Sequence, residues 1–430
     1  MELIFRRYRE GDEFGITELL KTCFRTFNSW NITANDWLGF EESDYGFKRE
    51  NALVAEYSGR IVGHVHVVYR RIRIGRSFLD IGGIANVSTH PDFRGRGIAT
   101  KLMSMALDLC REKGWALSSL LTGYASTGHR VYRSLGYADT FFLYEYIGTR
   151  ERTEKAIEVL GLDDVEFDEL REEYVEDVSD VYYRWSTKFS AMVWRPIEYW
   201  RERILRKTFY YSYFYDDRDA GIRIVAKKNS RIVGYALALN SSRTRREYWS
   251  RGTGVVLEVV ALNNTYAKAL LKRILEIFLR EDVKLARLFI PFDKSYRNVL
   301  KFFEKLRGAI YMDYIVDQTK LFNELKSELK HRLSKLPREY TLSIDIESPY
   351  GCTELSIDRD RIEVSSLCRS RNRVVFTRDG IAKLIYGIES FKKLLVDGYI
   401  DRVELDEKSI RVLNWLFPKR RAYVSLIDQW

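Results

Sequence analysis

The stretch with the clearest chemical meaning is Arg-Gly-Arg-Gly at residues 94–97, between a strand-like run ending near Thr89 and a helix-like run starting near Ile98. The two glycines allow a left-handed backbone and a close approach to a ligand. The free N–H groups and the dipole at a helix start attract anions, and the two arginines add full positive charges. These properties favour a pyrophosphate-binding loop. A nucleic-acid patch and a turn that is basic by chance are the alternatives.

The residues around this loop, HPDFRGRGIATKLM, resemble motif A of the GCN5-related N-acetyltransferase (GNAT) superfamily, Arg/Gln-x-x-Gly-x-Gly/Ala. Arg94, Gly97 and Ala99 match the motif. The resemblance implies acetyl-CoA as cosubstrate, with its pyrophosphate on the loop amides and its pantetheine arm along the preceding strand. The implied cofactor-binding residues are Val87, Ser88, Thr89, Arg94, Gly95, Arg96, Gly97, Ile98, Ala99 and Thr100.

A second segment, STGHRVYRSLGYADT, resembles the other cofactor element of the superfamily. The resemblance places Thr127 and Gly128 at the cofactor and makes Tyr132 the general acid that protonates the departing CoA thiolate. A tyrosine with an ordinary pKa near ~10 is protonated at neutral pH and can donate. The alternative is a core tyrosine, because the chain contains 28 tyrosines.

Hydrophobic patterning divides the chain into three parts. Residues 1–150 follow the order strand, helix, antiparallel meander and then β-α-β-α-β, which is the order of a GNAT fold. Residues 151–312 repeat this order loosely, and residues 313–430 form a small α+β module. The predicted fold class is therefore α/β with mixed sheets. The charged residues 149–165 are interpreted as a linker, and NVLKFFEKLRGA is predicted to be a short helix.

This architecture resembles the Eis-like (enhanced intracellular survival) acetyltransferases, in which two tandem GNAT units precede a domain similar to sterol carrier protein 2 (SCP2). The resemblance implies a homo-oligomer and a general base supplied by the terminal α-carboxylate, here that of Trp430. The run GGIANV contains no acid, which favours a base from elsewhere. The alternative is a plain terminal strand with a buried indole. In the second unit the counterpart of the loop, Val260–Arg273, has no glycine, so we expect no cofactor there.

Residues 27–51 mix acidic and aromatic side chains. Such a mixture suits a cationic amine, through charge pairing and cation–π contact. The predicted acceptor-binding residues are Trp30, Asp36, Trp37 and Glu41. The alternative is a lid helix with a solvated acidic face. The amine itself, whether a small molecule, a polyamine or a protein lysine, is left open.

Composition limits the other classes of function. Hydrophobic residues make up 46% and charged residues 31% of the 430 residues, which is typical of a globular protein. The net charge of +10 is interspersed with 61 acidic residues, so we expect a solvated surface and no nucleic-acid partner. No apolar stretch approaches the ~20 residues that span a bilayer. Four cysteines without a CxxC pair predict reduced thiols in a cytoplasmic protein, and no cluster predicts a metal.

The sequence therefore predicts an acetyl-CoA-dependent N-acetyltransferase that transfers the acetyl group directly to an amine. The first alternative is a lipid or acyl-CoA carrier, or an acyltransferase for longer chains, because of the SCP2-like module. The last alternative is a nucleic-acid-binding protein, because of the net charge.

Overall fold

The computed structural model describes residues 2–161, 164–206, 220–244, 249–291, 296–336 and 339–430. The first unit packs four helices against a sheet and then alternates strand and helix, and this alternation is the predicted one. Its elements are β1 (Ile4–Arg7), α1 (Asp12–Cys23), α2 (Arg25–Trp30), α3 (Ala34–Leu38), α4 (Phe40–Ser43), β2 (Ala52–Tyr57), β3 (Arg60–Ile74), β4 (Ser77–Thr89), α5 (Ile98–Glu112), β5 (Leu117–Thr122), α6 (Thr127–Ser134) and β6 (Ala138–Thr149).

The second unit repeats this order loosely, beginning with an additional helix. Its elements are α7 (Arg150–Glu158), β7 (Glu166–Glu169), α8 (Val175–Ser186), β8 (Phe189–Val193), α9 (Ile197–Tyr199), β9 (Gly221–Lys228), β10 (Arg231–Asn240), β11 (Thr253–Ala261), α10 (Asn264–Arg280), β12 (Leu285–Leu288), α11 (Arg297–Leu300) and β13 (Glu304–Ile315). A π-helical segment, Trp200–Arg206, follows α9.

Two sequence predictions about this unit are wrong. The segment interpreted as a linker begins with helix α7, whose first turn is capped by the Thr149 hydroxyl and whose Thr153 and Ala156 are buried. The predicted short helix is limited to α11, because the following residues from Glu304 onwards extend as β13. The partner strands of β13 lie more than a hundred residues earlier in the chain, so local patterning does not reveal them.

In the described residues of the third module, five strands form a sheet of order β16-β15-β14-β17-β18, and four helices accompany it. Its elements are α12 (Gln318–Leu333), β14 (Thr341–Ser348), β15 (Gly351–Asp358), β16 (Arg361–Ser365), β17 (Arg373–Phe376), α13 (Arg378–Tyr386), α14 (Phe391–Val396), β18 (Ile400–Glu404), α15 (Glu407–Leu416) and the short β19 (Arg421–Ala422), which pairs with β8. The predicted boundary at 312/313 falls inside β13.

Among the described strands, fourteen form one sheet that the two units share, with the order β1-β2-β3-β4-β5-β13-β6-β12-β11-β10-β9-β7 and with β8 and β19 beside it. The last strand of each unit is inserted into the other unit. Strand β13 lies between β5 and β6, and β6 lies between β13 and β12. Each unit therefore completes its sheet with a strand from its neighbour. The predicted fold class, α/β with mixed sheets, is confirmed.

The prediction that all cysteines are reduced is wrong for one pair. Cys352 and Cys368 form a disulfide in the third module, whereas Cys23 and Cys110 are free thiols. The two half-cystines are 16 residues apart, and the hairpin of β15 and β16 brings them together. Asp345 lies with the two sulfurs in a group whose atoms are within 4.8 Å of one another. The sulfurs are bonded to each other and are not the thiolates that a metal binds. Every described helix is too short or too polar to span a bilayer.

Candidate active site

The two central parallel strands of the first unit, β4 and β5, separate at one end. Their last paired residues are Ile84 and Leu120, after which β4 continues to Thr89 and β5 to Thr122. Beyond this last pair, the described residues of β4 pair with β3 and no longer with β5. The backbone of this end of β4 therefore has hydrogen-bonding groups available on the side of β5, and an extended ligand arm can pair with them.

A β-bulge marks this free end of β4. Strand β3 pairs His66 with Ala85 and His64 with Ser88, so that two residues of β4 lie opposite one residue of β3. One of the two, Asn86, has a left-handed φ of 55°. A bulge disrupts the ladder and turns backbone groups in a new direction. The N–H groups around the bulge are thus candidates for polarising a carbonyl in the cleft.

The loop between β4 and α5 is open to solvent. Gly95 and Gly97 have φ of 75° and 74°, and no atom lies within 4 Å of the position of a Cβ at either residue. The side chains of Arg94 and Arg96 are exposed on the same loop. The N–H groups of the first turn of α5 have no acceptor within the helix. The loop therefore offers amides, a helix dipole and two guanidinium groups to an anion.

The other predicted cofactor-binding residues surround the same cleft. They are Val87, Ser88 and Thr89 at the end of β4, Ile98, Ala99 and Thr100 in the first turn of α5, and Thr127 and Gly128 in the first turn of α6. All of these segments follow the carboxyl ends of the adjacent strands β4 and β5. In an open α/β sheet this edge is the common place for a ligand.

Tyr132 projects from α6 into the core that α5 shares with β4. Its side chain is 9% exposed, and burial raises the pKa of its hydroxyl to about 12. A Cβ at Gly128, one turn earlier, would lie 3.3 Å from the Tyr132 ring. At this pKa the hydroxyl is protonated at neutral pH, and because it has no hydrogen-bond partner among the described residues it is available as a donor.

The end of the chain lies on the same two strands. The indole of Trp430 covers Gly83 of β4, where a Cβ would be 2.7 Å from the ring, and its Nε1 donates to the carbonyl of Ser119 on β5 at 3.2 Å. Gly83 and Ser119 form the pair that precedes the last one, Ile84 and Leu120. The ring also contacts the edge of Tyr311 on β13, with 6.1 Å between centroids. Trp430 therefore lies next to the cleft of the first unit.

Comparison with known proteins supports the resemblance in this unit. Residues 5–139 match the family model described as an acetyltransferase (GNAT) domain. After the model that it matches, we call the first unit the GNAT domain. Over 140 residues, 32% of this chain, it is 27% identical to an uncharacterized N-acetyltransferase of Methanocaldococcus jannaschii, and the match spans 55% of that protein.

Several solved structures share the fold of the whole chain. A GCN5-related N-acetyltransferase from Kribbella flavida is 18% identical, with 100% of both chains covered and a TM-score of 0.71. A probable N-acyltransferase from Enterococcus faecalis V583 is 16% identical, again with 100% of both chains covered and a TM-score of 0.72. Eis1 from Mycobacterium abscessus is 16% identical, with 99% of both chains covered and a TM-score of 0.64. The GNAT domain of this chain is thus part of a three-part fold that these proteins also have.

The predicted acceptor-binding residues lie on the opposite face of the GNAT sheet from α5. Trp30 and Trp37 are 2% and 0% exposed, and they share a core with Ala85 of β4. Asp36 accepts hydrogen bonds from the backbone N–H and hydroxyl of its N-cap residue, and Glu41 accepts from an arginine at 2.6 Å. Both carboxylates therefore already have protein partners. The role of these four residues in acceptor binding stays a prediction.

Sequence analysis missed a set of buried ions on this face. The guanidinium of Arg70 donates to both oxygens of Asp44 at 2.7 and 2.6 Å, and Arg203 of the second unit donates to the same carboxylate at 2.8 Å. Burial alone would raise the pKa of Asp44, but the two arginines lower it to about 2. The partners are 26 and 159 residues from Asp44, so no local spacing indicates them.

Proposed function

We propose that the protein transfers an acetyl group from acetyl-CoA to an amine. The observation that carries the proposal is the divergence of β4 and β5 beside the open loop at residues 94–97, within the segment that matches the GNAT model. The free edge of β4 suits the amide-containing pantetheine arm, and the loop amides suit the pyrophosphate. In the transfer, the amine nitrogen forms a bond with the acetyl carbon, and the carbon–sulfur bond to CoA breaks.

Three groups of this chain have roles in the proposed reaction. Backbone N–H groups near Val87 polarise the acetyl carbonyl as negative charge develops on its oxygen. Tyr132 donates its proton to the leaving thiolate, which is supported by its protonated state and its free hydroxyl. The α-carboxylate of Trp430 accepts the proton that the amine loses. The resemblance to the Eis-like family and the position of the indole beside the cleft support this assignment.

A thiol-release assay with acetyl-CoA and a panel of amines tests the proposal. The panel contains aminoglycosides, polyamines and lysine peptides, and longer acyl-CoAs are run in parallel to test the acyltransferase and carrier alternatives. We expect amine-dependent release of free CoA, and we expect Tyr132→Phe to lower kcat by roughly 10²-fold with little change in the KM for acetyl-CoA. Residues added after Trp430 should lower kcat in the same way, because they convert its carboxylate into an amide.

Different outcomes would remove different parts of the proposal. No thiol release with any amine would remove acetyl transfer. An unchanged rate in Tyr132→Phe would remove the acid, and an unchanged rate in the extended chain would remove the terminal base. Tyr137→Phe is the matched control, because this neighbouring tyrosine is fully buried and its hydroxyl bonds with Ser118 at 2.7 Å. The SCP2-like third domain, the homo-oligomer and the cytoplasmic location stay predictions from the resemblance.

A further inference from the structure

The second unit has a cleft of its own. Strands β11 and β12 pair up to Val256 and Leu288, and β11 then continues to Ala261. This is the same arrangement as β4 and β5 in the GNAT domain. Glu258 lies two residues beyond the last pair, at the position that Asn86 occupies on β4. The glycine-free segment that follows β11 gives this cleft no counterpart of the loop at residues 94–97.

The chain's own last residues lie beside this second cleft, on the α8 face of the sheet, where Leu426 and Ile427 share a core with Leu257 of β11. We call residues 423–430 the tail. Tyr423 donates its hydroxyl to the carbonyl of Phe289, the first residue after β12, at 2.7 Å. The carbonyl of Ile427 accepts from the Tyr199 hydroxyl and from Arg203 Nε, both at 3.2 Å. The tail is therefore bonded to the second unit along its length before its final residue reaches the GNAT domain.

The strongest of these contacts is a buried ion pair. Arg195, which follows β8, donates from Nε and Nη2 to the carboxylate of Asp428 at 2.9 and 2.7 Å. The same guanidinium donates to Glu258 at 2.9 and 2.8 Å. All three side chains are 0% exposed. Bidentate, water-excluded pairs of this kind fix geometry as well as charge.

Asp428 is two residues before Trp430, so the ion pair and the docked indole hold the two ends of one short segment. We propose that Arg195 is a positioning residue for the reaction of the GNAT domain, because its bond to Asp428 fixes Trp430 on β4 and β5. This inference rests on the proposed function. It also gives the second unit a role that requires no glycine loop, because its α8 face holds the segment of the chain that ends at Trp430.

Two isosteric variants of the full-length protein separate positioning from general stability. Asp428→Asn removes the carboxylate of the tail from Arg195 and leaves a balanced Arg195–Glu258 pair. Glu258→Gln removes the other carboxylate from the same guanidinium and leaves the tail bonded. Both variants lose one buried negative charge at the same site, so a purely structural role predicts equal effects. Gly83→Ala is a third variant, because its Cβ would displace the indole without altering any ion pair.

We expect kcat to fall on the order of 10²-fold in Asp428→Asn and Gly83→Ala, with the KM for acetyl-CoA nearly unchanged, because a misplaced group at an active site has an effect of that size. Glu258→Gln should retain most of the wild-type kcat. Hydrogen exchange provides a readout that does not depend on activity. The amides of the tail should exchange faster in Asp428→Asn than in Glu258→Gln, with no difference in α5.

Equal losses of kcat in the Asp428 and Glu258 variants, or equal exchange of the tail amides, would overturn the positioning role. A wild-type protein that releases no thiol with any amine would instead refute the proposed function. In that case the exchange comparison would still decide whether Arg195 holds the tail. The two failures are therefore distinguishable.

Discussion

At the scale of single residues, Asp313 is unusual because it is an ionisable group in the interior of the protein. It lies on β13, fully buried, and accepts hydrogen bonds from Ser119 and Thr140 at 2.6 Å each and from Tyr386 at 3.1 Å. No described residue forms an ion pair with it. Burial raises the pKa of this carboxyl to about 6, and the three hydrogen bonds only partly oppose the shift. The residue thus binds a proton more tightly in the folded chain than in the unfolded chain, where its pKa is near ~3.9.

This difference predicts a pH-dependent stability with a definite sign. Between about pH 4 and pH 6 the folded state holds a proton that the unfolded state has released, so the contribution of Asp313 to the free energy of unfolding falls as pH rises. The full loss is on the order of 3 kcal/mol. Urea unfolding at pH 4 and pH 7 should show this loss in the wild type and not in Asp313→Asn.

Asp12 supplies a control of opposite sign. Burial alone would raise its pKa, but Arg6 lowers it below the ordinary value. Its contribution to stability is therefore present above the unfolded pKa and is lost as pH falls. Asp12→Asn should therefore remove a contribution to the free energy of unfolding that increases with pH. The same pH dependence in wild type and Asp313→Asn would contradict the assignment for Asp313.

The candidate site residues that could be predicted from the sequence are those that belong to a short motif. Arg94 and Gly97 lie in a loop whose chemistry follows from its immediate neighbours, and the resemblance of its segment to a GNAT element indicates Tyr132. Arg195 and Asp428 are 233 residues apart, and neither has a neighbour that indicates an ion pair. This ion pair forms because the tail passes from the second unit to the GNAT domain, and no local sequence pattern indicates that path.

At the scale of elements, we predict that ligand binding by the loop before α5 depends on the left-handed backbone conformation of its glycines. Gly97 has φ of 74° and open space around its Cβ position, so Gly97→Ala adds no clash but disfavours the left-handed backbone by roughly 1–2 kcal/mol. We expect the KM for acetyl-CoA to rise about tenfold or more, with a smaller change in kcat. Isothermal titration with CoA checks the affinity directly.

Gly398 allows a matched control for this prediction. It has φ of 75° with no atom within 4 Å of its Cβ position, and it lies in the third module between α14 and β18. Gly398→Ala should therefore produce a similar loss of stability without a change in CoA affinity. Equal affinities in the two variants would show that the loop conformation does not matter for binding.

Helices whose apolar residues recur every three or four positions were predictable as elements. Helix α5 is an example, with Leu102, Met103, Ala106 and Leu109 buried along one face. Strand β13 was not predictable, because its charged start resembles an exposed helix. It is a strand because β5 and β6 supply backbone partners on both sides. Pairing between distant segments therefore decides the structure where local preference is weak.

At the scale of the whole molecule, the shared sheet makes the two units mutually dependent. Strand β13 contributes Ile310 and Met312 to the core of the GNAT domain, together with Leu120 of β5. Without the second unit, β5 would expose an unpaired edge, β6 would lose both of its neighbouring strands, and this core would lose part of its apolar surface. Strand β6, which ends at Thr149 next to the predicted boundary, pairs with β12 and β13 of the second unit.

A chain consisting of residues 1–150 alone is therefore predicted to lack a cooperative unfolding transition. Exposed strand edges promote association, so we expect aggregation of this fragment, measured by light scattering and by circular dichroism during heating. Co-expression with residues 151–430 is the control, because it returns β13 to its place between β5 and β6. A soluble fragment with its own sharp transition would show that the GNAT domain folds without the strand of its neighbour. In that case the inserted strand would contribute to the arrangement of the units but not to the stability of the cleft.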